Sequence, residues 1–211
     1  MCPPGNNDRP QKGKIVISAA GEDDCPCKIE LLWVRVGENS SAFLRIMVDV
    51  VSMARALLGI DPGKVKTMYH AAIRVTVPEG DDCVWYVIEL VGAADTKKAA
   101  SAVGQIREGE IALVGKKYGI RKWRKGKVTD AEHTKQTIIV SEDCDKAKCV
   151  LDKVKNIPIN KWGVDDNGYG EVWTSNSAAA WLLAKCGLEK GIKAPKDGVA
   201  PGWHAGVKAA K

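Results

Sequence analysis

The chain is 211 residues long, 45% hydrophobic and 27% charged, with 32 Lys+Arg against 26 Asp+Glu and a formal net charge of +6. This size and composition fit one globular domain with a sizeable core, and exclude collagen, a long coiled coil or extended disorder as the main architecture. No stretch approaches the roughly 18 consecutive apolar residues of a spanning helix, and no apolar core precedes a small-residue cleavage site near Met1 to Lys14, so a membrane span and a classical signal peptide are disfavoured.

In chain order, residues 1–14 are rich in Pro, Gly, Asn and charge and read as a flexible leader; residues 15–211 read as a single domain. Lys14 to Ala19 and Ile29 to Val36 are β-rich runs parted by a turn cluster, most simply an antiparallel pair. From Ser41, Phe43, Ile46, Met47, Val50, Ala54, Leu57 and Leu58 recur at helical spacing, and Gly59 and Pro62 end that helix. His70 to Val77 alternates, Pro78-Glu79-Gly80-Asp81 turns the chain, and Cys83 to Val91 returns as a second strand. A hairpin centred between Glu79 and Gly80 sets Ile73 opposite Tyr86, Val75 opposite Val84, Arg74 opposite Trp85 and His70 opposite Glu89. Ala94 to Ala102 carries too little pattern to assign. Gln105 to Val114 and Ile120 to Val128 read as further strands. Asp130 to Lys135, with His133, reads as a solvated turn. Ser141 caps a helix through about Asn156, ended by Ile157-Pro158. Trp162 to Gly170 is a loop in which Asp165-Asp166-Asn167-Gly168 lacks the later acidic ligand of a calcium loop. Asn176 to Cys186 is a helix apolar nearly all round, which marks it as central, and Pro195, Pro201 and several glycines follow in an irregular tail. The fold class is thus α+β, with a central antiparallel sheet and a buried helix.

Seven cysteines are an odd number in a chain without a classical signal peptide, so a complete disulfide framework is not expected and a reducing compartment fits better. The expected location is the cytoplasm, or outside it by an export route that leaves no such signal. Cys25-Pro-Cys27 with Cys144 and Cys149 lacks the paired knuckles of a structural zinc site, and Cys83 and Cys186 sit in apolar pattern as small core residues. No metal is expected. Neither of the common phosphate-loop patterns occurs, and no cofactor is implied.

Between Lys116 and Lys127 stand seven cations, Lys116, Lys117, Arg121, Lys122, Arg124, Lys125 and Lys127, with no acid among them. The plain reading is a solvated hairpin; the functional one is an anion site, for which Arg121 and Arg124 are candidate substrate contacts. Nucleic acid is disfavoured, because Tyr118 and Trp123 are thin support for base stacking. Trp33, Trp85, Trp162, Trp173, Trp181 and Trp203 fit a core better than a pocket lining.

Trp173-Thr174-Ser175-Asn176-Ser177 opens the buried helix, where free backbone N–H groups and the positive dipole end favour a developing anion. Capping alone explains Ser, Thr and Asn there. A His beside a carboxylate on paired strands supplies the other half of an acyl-transfer site, an oriented base. His204, in Pro201-Gly202-Trp203-His204, competes with His70 for that role.

The order of Tyr69-His70-Ala71-Ala72-Ile73, then Val87-Ile88-Glu89, then a late polar tetrad at a buried helix start resembles the circularly permuted papain-like proteins: the NlpC-type, YiiX-like and lecithin:retinol acyltransferase-like groups. On their Asn-Cys-Asn/Glu-His motif, Thr174 takes the Asn place, Ser175 the Cys place, Asn176 the third and Ser177 the last. The tetrad, Trp181-Leu182-Leu183-Ala184, Ala200-Pro201-Gly202-Trp203 and Arg121-Lys122-Trp123 also resemble a set of bacterial proteins of unassigned activity with an Asn-Ser-Asn-Ser tetrad. The resemblance implies a permuted papain-like fold and a hydrolase or acyltransferase acting on amide or ester bonds of peptides, cell-wall peptides included, or acyl lipids. It implies Ser175 as nucleophile, His70 as base and Glu89 as its orienter, with Trp173, Thr174, Asn176 and Ser177 around the substrate and Ser177 as alternative nucleophile. A hydroxyl in a thiol's place needs base assistance at the moment of attack. Three readings therefore stand: a Ser-His-Glu enzyme, a catalytically inactive module binding an anionic partner through its basic stretch, or a Cys site inactivated by Ser.

Overall fold

The computed structural model describes residues 25–37, 67–92, 105–112 and 115–211. The leader 1–14, the strand expected at Lys14 to Ala19, the helix from Ser41 and the Ala94 to Ala102 stretch lie outside the described residues.

Among the described residues, seven strands form one sheet, mostly antiparallel, with a few helices: an α+β architecture. The strands are β1 (Lys28–Val36), β2 (Thr67–Glu79), β3 (Asp82–Gly92), β4 (Gln105–Glu110), β5 (Lys117–Arg124), β6 (Thr134–Ser141) and β7 (Gly198–Val199), in the order β4-β5-β3-β2-β1-β6 with β7 beside β2. The helices are α1 (Cys144–Lys153), α2 (Ser175–Lys185) and α3 (Trp203–Ala209). None is long and apolar enough to cross a membrane.

Alternation along the strands divides the buried side chains into two sets. Ile29, Leu31 and Trp33 of β1, Tyr69, Ala71, Ile73 and Val75 of β2, and Ile88 and Leu90 of β3 share one core with Ala178, Ala179, Trp181 and Leu182 of α2. Leu32, Val34, Ala72, Val87 and Val128 form a second, smaller cluster. Helix α2 is enclosed as its composition predicts, with Ser175 to Leu183 all buried, and it stops where Gly187 adopts a left-handed φ of 69°. There the Gly187 and Leu188 N–H groups return to the carbonyls of Ala184 and Leu183.

The β2–β3 hairpin departs from the expected register by two residues. Ile73 faces Ile88, Val75 faces Tyr86, Thr76 faces Trp85 and Val77 faces Val84, with Arg74 opposite Val87. The cause is the turn: the left-handed conformation falls on Gly80 (φ 62°), so the two-residue loop is Gly80-Asp81 and Glu79 pairs with Asp82. A one-residue slip would have sent every side chain to the other face, whereas a two-residue offset preserves faces and only changes partners. His70 and Glu89 therefore meet diagonally.

Further corrections concern the second half of the chain. The expected solvated turn at Asp130 to Lys135 is one turn of 3-10 helix (Ala131–His133) leading straight into β6, an edge strand with Ile139 exposed. Asp143, not Ser141, caps α1 by accepting from the Asp145 and Lys146 N–H groups, while the Ser141 hydroxyl accepts from the Asp143 N–H. The irregular tail contains β7 and α3.

The cysteines are the largest correction. Cys25 bonds Cys83, Cys27 bonds Cys144 and Cys149 bonds Cys186, at Cα separations of 5.3, 5.0 and 6.0 Å, all within the span a disulfide bridges. The partners are 58, 117 and 37 residues apart, so local spacing carries no trace of the pairing. In series the three bonds link β3 to the start of β1, β1 to α1, and α1 to the end of α2. Cys2 lies outside the described residues.

Candidate functional site

His70 and Glu89 form the buried centre of a polar network. The His70 side chain is 1% exposed and that of Glu89 0%, and His70 Nε2 lies 3.1 Å from Glu89 Oε2. An ionised carboxylate only accepts, so Nε2 carries a hydrogen and, in the neutral ring, Nδ1 has the lone pair. That Nδ1 is buried and has no hydrogen-bond partner. Glu89 Oε1 accepts from Arg121 Nη2, from the Thr129 N–H at 3.1 Å and from the Thr129 hydroxyl at 3.0 Å. Burial pushes the Glu89 carboxyl up, but the His70 hydrogen bond and the Arg121 charge outweigh it and hold it below the ordinary glutamate range.

Arg121 is directly opposite Glu89 in the β3–β5 ladder and is 6% exposed. Its Nη2 also donates to Thr129 Oγ1 at 2.9 Å and to the Lys127 carbonyl at 3.2 Å, and its guanidinium lies 4.6 Å from the Trp123 ring centre. It is turned into the network rather than toward solvent. Arg124, at the end of β5, pairs with Glu79 at 3.1 Å on the surface. Lys117 with Glu108 and Lys125 with Asp82 are further pairs, and Lys122 lies over the Tyr86 ring. The run that is purely basic in sequence is thus largely interleaved with carboxylates from neighbouring segments.

The tetrad at the start of α2 divides by role. Thr174 is the N-cap: its Oγ1 accepts from the Asn176 N–H at 3.1 Å and donates to the Pro201 carbonyl at 2.7 Å. Ser177 Oγ accepts from the Thr174 N–H at 2.9 Å, completing a capping box, and donates to the Gly202 carbonyl at 2.7 Å. Asn176 Nδ2 donates to the carbonyls of Tyr69 and Pro201, each at 3.0 Å. Trp173 is 2% exposed and packs in the core. Of the tetrad's three hydroxyls, only that of Ser175 makes no hydrogen bond among the described residues, to His70 or to any other group.

The Asn176 to Tyr69 bond ties the start of α2 to the residue before His70. It does so at an interruption of the sheet: β3 pairs with β2 only as far as Ile73, β7 takes up Thr67 and Met68, and among the described residues no strand lies beside residues 69–72 on that edge. Ser175 and Glu89 line one cleft at this interruption, together with Ala71, Leu90, Ile120 and Ala178, with room for about one water (≈ 10 Å³). His70 alternates with Tyr69 and Ala71, which pack with α2, so its side chain leaves β2 on the opposite face.

His204 is exposed on α3, its backbone N–H bonded to Glu171, and His133 lies near Glu132 at the surface, so neither joins the network. Asp165 receives the Tyr169 and Gly170 N–H groups, which closes its loop without a ligand. Sequence reasoning missed Thr129 and the inward role of Arg121. No local pattern marks Thr129, and only the β3–β5 register distinguishes Arg121 from its six basic neighbours.

Compared with known proteins, the chain matches no protein-family model, no curated protein and no solved structure.

Proposed function

We propose that the protein is an acyl-transfer hydrolase of the permuted papain-like kind, with Ser175 as nucleophile, His70 as base and Glu89 as its orienter. One observation carries this reading: a buried imidazole is held by a carboxylate through Nε2 with its Nδ1 unpartnered, and the helix start that Asn176 ties to the neighbouring Tyr69 carbonyl has three polar side chains engaged and the Ser175 hydroxyl not. In the reaction Ser175 Oγ attacks the carbonyl carbon of an amide or ester while its proton passes to His70 Nδ1. The imidazolium then protonates the leaving amine or alcohol, and water releases the acyl group by the reverse sequence. The Ser175 N–H, at the positive end of α2, serves as oxyanion donor.

The substrate class we propose is a peptide amide or an acyl lipid, and Lys116 and Lys127, exposed beside the pairs of β5, suit an anionic one. The disulfides favour work outside a reducing cytosol. A non-catalytic module binding an anionic partner is the second reading, favoured by the narrowness of the cleft at Ser175.

Intact-mass labelling with a serine-reactive phosphonate separates the two. The expected result is one adduct on the parent protein that is lost in Ser175→Ala and in His70→Ala. An unlabelled parent whose Ser175→Cys variant is alkylated rapidly, in a His70-dependent manner, indicates a thiol site inactivated by serine. Silence in every variant refutes the catalytic reading.

A further inference from the structure

We infer that Arg121 is a positioning residue that locks His70 in its Nε2–H tautomer by keeping Glu89 ionised. The inference rests on His70 being the base of the proposed reaction.

His70 and Arg121 bond to different oxygens of Glu89. Oε2 receives His70 Nε2 and, at 3.4 Å, the Thr129 N–H, while Oε1 receives Arg121 and both donors of Thr129. Among the described residues Arg121 is the only Arg or Lys bonded to the carboxylate, and it is fixed from three other sides, by Thr129 Oγ1, by the Lys127 carbonyl and by the face of Trp123. Along the same face of β2 the next charged group, Arg74, is occupied by Glu30 at 2.6 Å. No other ionisable side chain bonds to His70 or Glu89 among the described residues.

Burial is the strongest influence on the Glu89 carboxyl and favours its neutral form; the donors around it overcome that preference. Without Arg121 the balance tips. A buried carboxylate that loses its guanidinium takes up a proton, and the neutral acid becomes a donor. The hydroxyl at Oε2 then donates to His70 Nε2, which must give up its own hydrogen, and the ring hydrogen moves to Nδ1. Proton count is conserved within the neutral imidazole, but its lone pair now faces Glu89 and its hydrogen sits on Nδ1. Such a ring cannot take a proton from Ser175. Arg121 would thus act two bonds away from the reacting atoms, with no contact to substrate.

The test is ¹⁵N NMR of the ring nitrogens near neutral pH, feasible because the chain has three histidines. In the parent, His70 is expected to show a protonated Nε2 and a bare Nδ1. In Arg121→Met and Arg121→Gln, two neutral replacements of different polarity, the pattern is expected to invert, and Arg121→Lys is expected to restore it. Lys122→Met, its neighbour on β5, is the control and should leave His70 unchanged. A parent already in the Nδ1–H form overturns the inference. So does a folded neutral variant that keeps the parent pattern or becomes doubly protonated. The spectrum needs neither nucleophile nor substrate, so a Ser175 that ignores the phosphonate while the tautomer inverts as expected refutes the hydrolase and leaves the lock standing.

Discussion

The disulfide between Cys149 and Cys186 provides a test of how the helix carrying Ser175 is held. It closes 37 residues, and this loop begins beyond Cys144, so neither of the other two bonds already constrains it. Chain entropy for a loop of that length corresponds to about 3.8 kcal/mol at 25 °C. For a chain of this size each kcal/mol lowers the melting temperature by about 2–4 °C, so Cys149→Ala/Cys186→Ala is expected to melt roughly 8–15 °C below the parent. Because the bond acts mainly on the unfolded chain, the denaturant slope should also rise, as the opened loop exposes more surface. The assays are thermal melting and guanidinium unfolding of parent and double variant, with alkylation mass before and after reduction to confirm the bond. Equal midpoints and equal slopes in a parent whose bond is confirmed would refute the reasoning.

Other outcomes follow from the buried network and the close contact behind α2. The Glu89 carboxyl sits lower in the folded protein than in the unfolded chain, so its stabilisation is complete above the ordinary glutamate value of about 4.3 and is lost as pH falls through the folded one. Glu89→Gln should therefore flatten the acid limb of the stability profile, and at pH 7 it should cost about 3–5 kcal/mol because Arg121 is left buried and unpaired; an unchanged acid limb in denaturant titrations from pH 3 to 8 would count against this. A methyl at Gly206 meets the backbone of Ser177. Gly206→Ala should lose about 1–3 kcal/mol and weaken phosphonate labelling, while Gly37→Ala, where nothing lies within 4 Å of the added methyl, should do neither.

Much of the sheet was legible from its residue types and, in one strand, its period. Ile29 to Val36 and Cys83 to Val91 are runs rich in β-branched and aromatic residues, His70 to Val77 alternates, and the buried helix after Asn176 declares itself by apolar residues on every side. The hairpin register failed because Pro78-Glu79-Gly80-Asp81 allows two centres, and only the left-handed φ at Gly80 selects one. His70 and Glu89 survived this error because their parity, not their opposition, brings them to one face. Strand β6 was hidden by its polar first half, Thr134 to Thr137, which an edge position tolerates. The disulfides and the inward turn of Arg121 are decided by segments far apart in sequence, and no local pattern contains them.

The interruption in the sheet at residues 69–72 bears on biosynthesis. The groups that finish the start of α2 come from later in the chain: the Pro201 carbonyl holds Thr174 and Asn176, the Gly202 carbonyl holds Ser177, and β7 covers Thr67 and Met68. A nascent chain that has emerged only as far as α2 has Ser175, His70 and Glu89 but no anchor for the start of the helix that carries Ser175. The site is thus assembled last, after residues 198–206 have cleared the ribosome, so that partly made chains would lack the proposed activity.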